Sequence, residues 1–260
     1  MGKIRSSLIA ILNNQETNST YYKIAKYLLQ NHYISNHVTM EDVAQNCFCA
    51  KSTVSRFCRQ IGYQNYYELN QDLYNSTKLS QDKYDRYMHY DFDTTKDIFL
   101  GNILSLVDMM HSTIHESDVN ALVNDLLNYE EVAIFGNSQS QSMAQTFQND
   151  MCLSKKIMTT SNLPEHQKQY IVNSNNKNLI IIISFSGEYF RSFMNINHLD
   201  KNNKAKFILI TCNPKMRNST YYDDIYYIEA QDTYAYRAHS INIFLNIVSI
   251  EYAKRVKDII

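Results

Sequence analysis

Three short stretches of this chain hold side chains whose types and spacing could do chemistry. The first is Lys51-Ser52-Thr53-Val54-Ser55-Arg56-Phe57-Cys58-Arg59. Val54 and Phe57 lie three apart and would share the inner face of a helix. That leaves Lys51, Ser52, Thr53, Ser55, Arg56 and Arg59 for the outer face. Such a helix can enter the DNA major groove, with its N-terminal residues on base edges and its arginines on bases or phosphates. The second stretch, Gly136-Asn137-Ser138-Gln139-Ser140, follows the apolar run Val132-Ala133-Ile134-Phe135 and opens a helical segment. The third, Ser184-Phe185-Ser186-Gly187-Glu188, follows Leu179 to Ile183 in the same way. Backbone N–H groups at a helix start attract anions and serine hydroxyls add donors, so both turns are candidate phosphate sites.

Other chemistry finds thinner material. Glu188 and His239 are the groups that could act as acid or base beside a sugar carbonyl. Neither has a matched partner in the sequence, so no catalytic residue is assigned. His166, His198 and His239 read first as surface or packing residues, and Lys155 and Lys156 as decoration of a helix end. Cys47, Cys49 and Cys58 lack CxxC or Cys/His spacing, so no metal is expected, and no cofactor either. The five cysteines read as reduced thiols in an intracellular protein.

The elements that must position these residues fall into two groups. A length of 260 residues suits two domains, and 44% apolar with 20% charged residues suits an ordinary globular chain. The formal net charge of -1 does not mark a nucleic-acid binder. Its distribution says more: residues 1–80 carry eight Lys/Arg against five Asp/Glu, a front of +3 on a remainder of -4. A mildly basic front suits DNA binding there. The chain has no uncharged apolar run of about eighteen residues, so no membrane span is expected. It shows no signal-peptide pattern, which predicts a cytoplasmic location.

From Thr20 to about Leu73 the pattern is helical with short loops. Ile24, Ala25, Leu28 and Leu29 mark one amphipathic helix. Thr39 and Asp42 have the spacing of a capping box, opening a helix through Met40, Val43 and Ala44 to near Cys47. The next helix spans about 51–60 and ends at Ile61-Gly62-Tyr63, with Gly62 suited to a left-handed cap. Helix, tight turn and helix of this length form a helix-turn-helix, with small Ala44 at the close approach. Tyr66, Leu69 and Leu73 suggest a further helix. Residues 76–96 are polar and aperiodic and read as a linker, with room for some helix. Two helical stretches occupy 97–128. The apolar runs 132–135, 179–183, 207–210 and 225–228 then alternate with helical segments at 139–153, 188–200 and 238–257, and Ile157-Met158 offers one more short strand. That alternation predicts a parallel sheet covered on both faces, with the serine turns at the carboxyl ends of strands.

The stretch from Ser52 to Tyr63, followed by Tyr66-Tyr67-Glu68-Leu69, resembles the N-terminal domain of RpiR-type regulators, which reads A-T-V-S-R-F-C-R-K-L-G-F. This chain has Phe48 where that family has a turn glycine, and Ala50 where it has a capping serine. Loss of the cap costs about 1 kcal/mol unless Ser52 substitutes. The second half is similar to the sugar isomerase (SIS) domain, with its G-x-G-x-S and S-x-S-G turns. Ile208 to Asn213 matches the family's next strand and turn, and Arg237, Ile241, Leu245 and Val248 its last helix. Here Ser138 stands for the middle glycine, where its hydroxyl could add a donor or its side chain could crowd the phosphate.

The resemblance covers about 1–75 and 97–257. It implies an all-α helix-turn-helix domain over 1–75, a linker over 76–96, and a three-layer α/β SIS domain over 97–260. It implies a transcription regulator of carbohydrate metabolism that responds to a phosphorylated sugar held by Gly136, Ser140, Ser184, Ser186, Gly187 and Glu188. A homodimer or homotetramer is expected, since symmetry would then place two reading helices on a palindromic double-stranded DNA site. Two alternatives stay open: a regulator whose SIS domain only oligomerises, and a phosphosugar isomerase. The attached DNA-binding module favours sensing over turnover.

Overall fold

With five glycines in 260 residues, most helices of this chain must turn their ends without one. A computed structural model describes residues 3–31, 38–85, 87–194, 204–230 and 234–257, and shows how. The chain divides into two compact units, Met1–Arg86 with Asn162–His166, and Tyr87–Ser161 with Gln167–Ile260.

The first unit holds α1 (Lys3–Asn14), α2 (Thr20–Asn31), α3 (Met40–Asn46), α4 (Lys51–Gln60) and α5 (Tyr66–Asp85). Its core gathers Ile4, Leu8, Ile24, Leu28, Val43, Val54, Phe57, Leu69 and Leu73. Helix α1 is absent from the sequence reading, although Ile4, Leu8 and Ile11 carry its period. The capping box forms at α3: Thr39 Oγ1 accepts the Asp42 N–H at 3.1 Å, and Asp42 Oδ2 accepts the Thr39 N–H at 2.7 Å. Helix α4 ends in a Schellman motif, in which Tyr63 N–H bonds Cys58 O at 2.9 Å and Gly62 N–H bonds Arg59 O at 3.1 Å. Gly62 has φ 86° there. The same pair of bonds closes α3, from Cys49 N–H to Ala44 O at 2.9 Å and Phe48 N–H to Gln45 O at 3.2 Å. Its left-handed position is filled by Phe48, at φ 53°.

The second unit begins with α6 (Phe92–Thr113) and α7 (Glu116–Asn128). Helices α5 and α6 occupy much of 76–96, where polar composition suggested a linker. There follow β1 (Glu131–Gly136), α8 (Gln139–Leu153), β2 (Met158–Thr159), α9 (Pro164–Asn173), β3 (Asn178–Ile183), β4 (Lys206–Thr211), β5 (Asp224–Tyr227) and α10 (Tyr234–Lys257). A π-helical turn, Tyr189–Phe193, follows β3, and a 3-10 turn, Pro214–Asn218, follows β4. The helix expected over 188–200 is represented by that π-helical turn; its remainder from 195 and His198 lie outside the described residues.

The strands form one parallel sheet in the order β2-β1-β3-β4-β5. Alternate residues sort to two apolar faces. Val132, Ile134, Leu179, Ile181, Ile208 and Ile210 pack with α7, α8 and α10 on one. Ala133, Phe135, Ile180, Ile182, Phe207 and Leu209 pack with Ile171 of α9 and with Phe190 and Tyr222 on the other. Two buried faces explain why these strands are continuous apolar runs rather than alternating ones. Helix α8 ends in a third Schellman motif with Lys155 at φ 62°, and Lys156 Nζ reaches back to Tyr129 O. Both lysines therefore serve the helix end.

Candidate functional site

In the first unit, α3 and α4 form the helix-turn-helix around the Phe48 turn. Val54, Phe57 and Cys58 are buried under α4. Lys51, Ser52, Arg56 and Arg59 are exposed, and Thr53 and Ser55 are half-buried. All six residues assigned to DNA from the sequence thus lie outside the buried stripe. Ala50 is the N-cap of α4 and supplies no side-chain bond. Lys51 pairs with Glu41 of α3, and Arg56 donates to Thr53 Oγ1 at 3.4 Å. Both contacts are weak enough for DNA phosphates to displace. Cys47 and Cys58 are buried, and burial pushes each thiol up to about 11, which suits packing rather than reactivity.

In the second unit, Gly136 pairs with Ile183 in register, so the turns after β1 and β3 leave the sheet side by side at its carboxyl end. A side chain at Gly136 could not be accommodated: its Cβ would lie 2.6 Å from the Ser140 carbonyl carbon. Ser138 takes φ 57° and ψ -120°, far from the left-handed helical well, and its side chain makes no capping bond to α8. Ser140 is buried at the start of α8. Between Gly136 and Ser138, Asn137 Oδ1 is shielded from solvent and has no hydrogen-bond partner among the described residues.

The second turn is braced from within. Ser184 Oγ accepts the Gly187 N–H at 3.1 Å and Ser186 Oγ accepts the Glu188 N–H at 3.3 Å. Each hydroxyl keeps its own hydrogen to donate. Gly187 has φ +76°, and a Cβ there would run into Met216. The exit of β4 supports the turn: Thr211 Oγ1 donates to Phe185 O at 3.3 Å and Asn213 Nδ2 to Ser186 O at 2.7 Å. Glu188 is paired with Arg191, Oε2 to Nε 2.9 Å, which occupies it locally. His239 is exposed on α10 and meets the Phe99 ring edge-on; His166 is exposed.

Sequence reasoning missed the residues beneath these turns. Gln141 bonds the Gly136 N–H, Gln167 bonds the Gly136 carbonyl, and the Tyr189 hydroxyl bonds Gln167. Gln141 had a signal, a polar residue next to the Ser140, Ala144 and Phe147 stripe of α8. Gln167 had none, because α9 carries no clear apolar period.

Comparison with known proteins agrees with this geometry. Residues 8–80 match the helix-turn-helix domain of the rpiR family, and residues 125–250 match the SIS domain. The molecule is a helix-turn-helix protein with a SIS domain. This pairing of an rpiR-family helix-turn-helix domain with a SIS domain is that of a transcription regulator. The HTH-type transcriptional regulator HexR of Pseudomonas aeruginosa is 26% identical over 224 residues, which cover 84% of this chain and 78% of HexR. The Vibrio vulnificus NanR protein complexed with ManNAc-6P is 15% identical with a TM-score of 0.50, over 98% of this chain and 91% of that one. A ligand-bound E. coli CFT073 protein is 15% identical with a TM-score of 0.51, over 65% of this chain and 94% of that one. At these identities the two structures attest the fold alone. Among the described residues no helix is long and apolar enough to cross a membrane.

Proposed function

We propose that this regulator reads double-stranded DNA with α4 and changes its hold on DNA when a phosphosugar occupies the paired turns after β1 and β3. The observation that carries the reading is the Gly136–Ile183 register, which sets two serine-bearing turns side by side where open parallel sheets bind ligands. Ser138, Ser140, Ser184 and Ser186 supply hydroxyl donors there, and the start of α8 supplies backbone amides. Gly136 and Gly187 permit the close approach of the backbone, and Glu188 lies at the rim. The ligand named with NanR, ManNAc-6P, supports the ligand class.

On the DNA side, Lys51, Ser52, Thr53, Ser55, Arg56 and Arg59 make the contacts. Two copies of the chain present two α4 helices to a palindromic site, with the domain boundary near 76–96. The ligand acts to the extent that it binds the two DNA-affinity states differently. The protein turns over no substrate and works in the cytoplasm.

A thermal-shift panel of sugar phosphates, with the unphosphorylated sugars as controls, tests the reading. Ligand at one hundred times its Kd stabilises by about 2.7 kcal/mol, a shift of several degrees. A shift with a phosphosugar and none with its plain sugar is expected. No shift across the panel would withdraw the sensing role and leave the SIS domain as an assembly module.

A further inference from the structure

Beneath the two turns runs a chain of buried amides and hydroxyls that phosphate binding by serines does not use. Gln167, 1% exposed, stands on α9, outside both turns. Its Nε2 lies 3.1 Å from Gly136 O, 3.1 Å from Gln141 Oε1 and 2.5 Å from Ser161 O. Its Oε1 accepts the Tyr189 hydroxyl at 2.5 Å. Gln141 Oε1 accepts the Gly136 N–H at 3.0 Å, and its Nε2 donates to Thr160 Oγ1 at 2.8 Å. Thr160 Oγ1 donates to Ile134 O at 2.6 Å. Gly136 ends β1 and begins one turn, and Tyr189 directly follows Glu188, the last residue of the other. One side chain, Gln167, therefore bridges the backbone of the first turn and an anchor of the second.

A primary amide has two N–H hydrogens, and Gln167 Nε2 faces three acceptors, so they must share. Buried polar networks of this kind raise the penalty for any lost bond: an apolar α9 residue would take from the Gly136 and Ser161 carbonyls and the Tyr189 hydroxyl the bonds they make with Gln167. What the amides supply is geometry. They grip the Gly136 peptide by its N–H and its carbonyl, at a position where no side chain fits above it.

We infer that Gln167 is a positioning residue: through Gly136 on one side and Tyr189 on the other it sets the spacing between the two turns, and so selects ligands that must touch both. The inference rests on the reading that these turns hold a phosphosugar. A sugar phosphate spans both turns and is sensitive to their spacing. Inorganic phosphate is small enough to be held by one turn and is not.

The test is isothermal titration of the full chain and its Q167L, Q167E and Y189F variants with two probes. One probe is the panel phosphosugar that binds the wild type, beginning with ManNAc-6P; the other is inorganic phosphate. Loss of the bridge is expected to weaken the phosphosugar about tenfold, the equivalent of one to two hydrogen bonds, and to leave inorganic phosphate within about twofold. A purely structural role would lower the melting temperature and leave the ratio of the two affinities unchanged, and that result overturns the inference. Y189F keeps its ring among Phe190 and the neighbouring aromatics, so it remains informative where Q167L fails to fold. A wild type that binds neither probe would instead overturn the phosphosugar reading, a separate and distinguishable failure.

Discussion

The turn before α4 and the turn before α8 each put a residue other than glycine at positive φ, but they ask different things of it. Phe48, at φ 53°, is the left-handed residue of a Schellman motif, with its ring 93% exposed. An L-residue in the left-handed well costs about 1–2 kcal/mol. Ser138 combines φ 57° with ψ -120°, outside that well, in a region that costs about 1–3 kcal/mol for a residue with a Cβ. The first turn only reverses the chain between two helices. The second aims serine hydroxyls and backbone amides at the carboxyl end of a sheet. The first conformation is an ordinary helix ending; the second is rare for a residue with a Cβ, as fits a turn that, on the proposal above, must also present donors to a ligand.

Substitutions in the two regions test that contrast. The largest effect belongs to the ligand turns. Ser184→Ala with Ser186→Ala is expected to remove the ligand-dependent stabilisation, about 2.7 kcal/mol at saturating phosphosugar, in a thermal-shift assay. DNA affinity without ligand should stay at the wild-type value, and a parallel loss there would merge the two regions into one site. Next comes Gly136→Ala, whose Cβ would sit 2.6 Å from the Ser140 backbone. Chemical denaturation should show a loss of about 1–3 kcal/mol, while a neutral result would mean that the start of α8 can yield.

In the reading helix, Arg56→Ala and Arg59→Ala should each weaken binding to a wild-type-selected DNA fragment about tenfold, with the salt dependence shallower by about one unit where a phosphate contact is lost. Anisotropy titrations at several salt concentrations check this. Unchanged affinity in both variants would move the DNA contact off α4. The smallest effect compares the two turns directly. Ser138→Gly should gain about 1 kcal/mol and Phe48→Gly only a few tenths, because glycine returns some of the relief as chain entropy. Equal gains would erase the distinction between the turns.

The legibility of the molecule follows the same division. Helices α2 to α4, the Thr39–Asp42 box and the Gly62 cap were readable because each rests on local spacing. The core strands were readable because both faces of the sheet are apolar, which leaves unbroken runs such as Leu179 to Ile183. Helix α9 was not, since its two buried positions, Gln167 and Ile171, include a glutamine. The site divides likewise. Its serines and glycines stand in motifs, whereas Gln141, Gln167 and Tyr189 come together only when α8, α9 and the π-helical turn meet beneath Gly136. No local pattern encodes a contact between residues 31 positions apart.

The most direct test of the account is DNA binding by the full chain with and without ligand. Anisotropy of a labelled, wild-type-selected fragment would be titrated in the presence of each phosphosugar and of its unphosphorylated counterpart. The expected result is a change in DNA affinity with a phosphosugar, in either direction, that the plain sugar does not produce and that Ser184→Ala with Ser186→Ala abolishes. DNA affinity that is identical under every sugar phosphate, in a protein that binds DNA tightly, would contradict the claim that the paired turns control the reading helix.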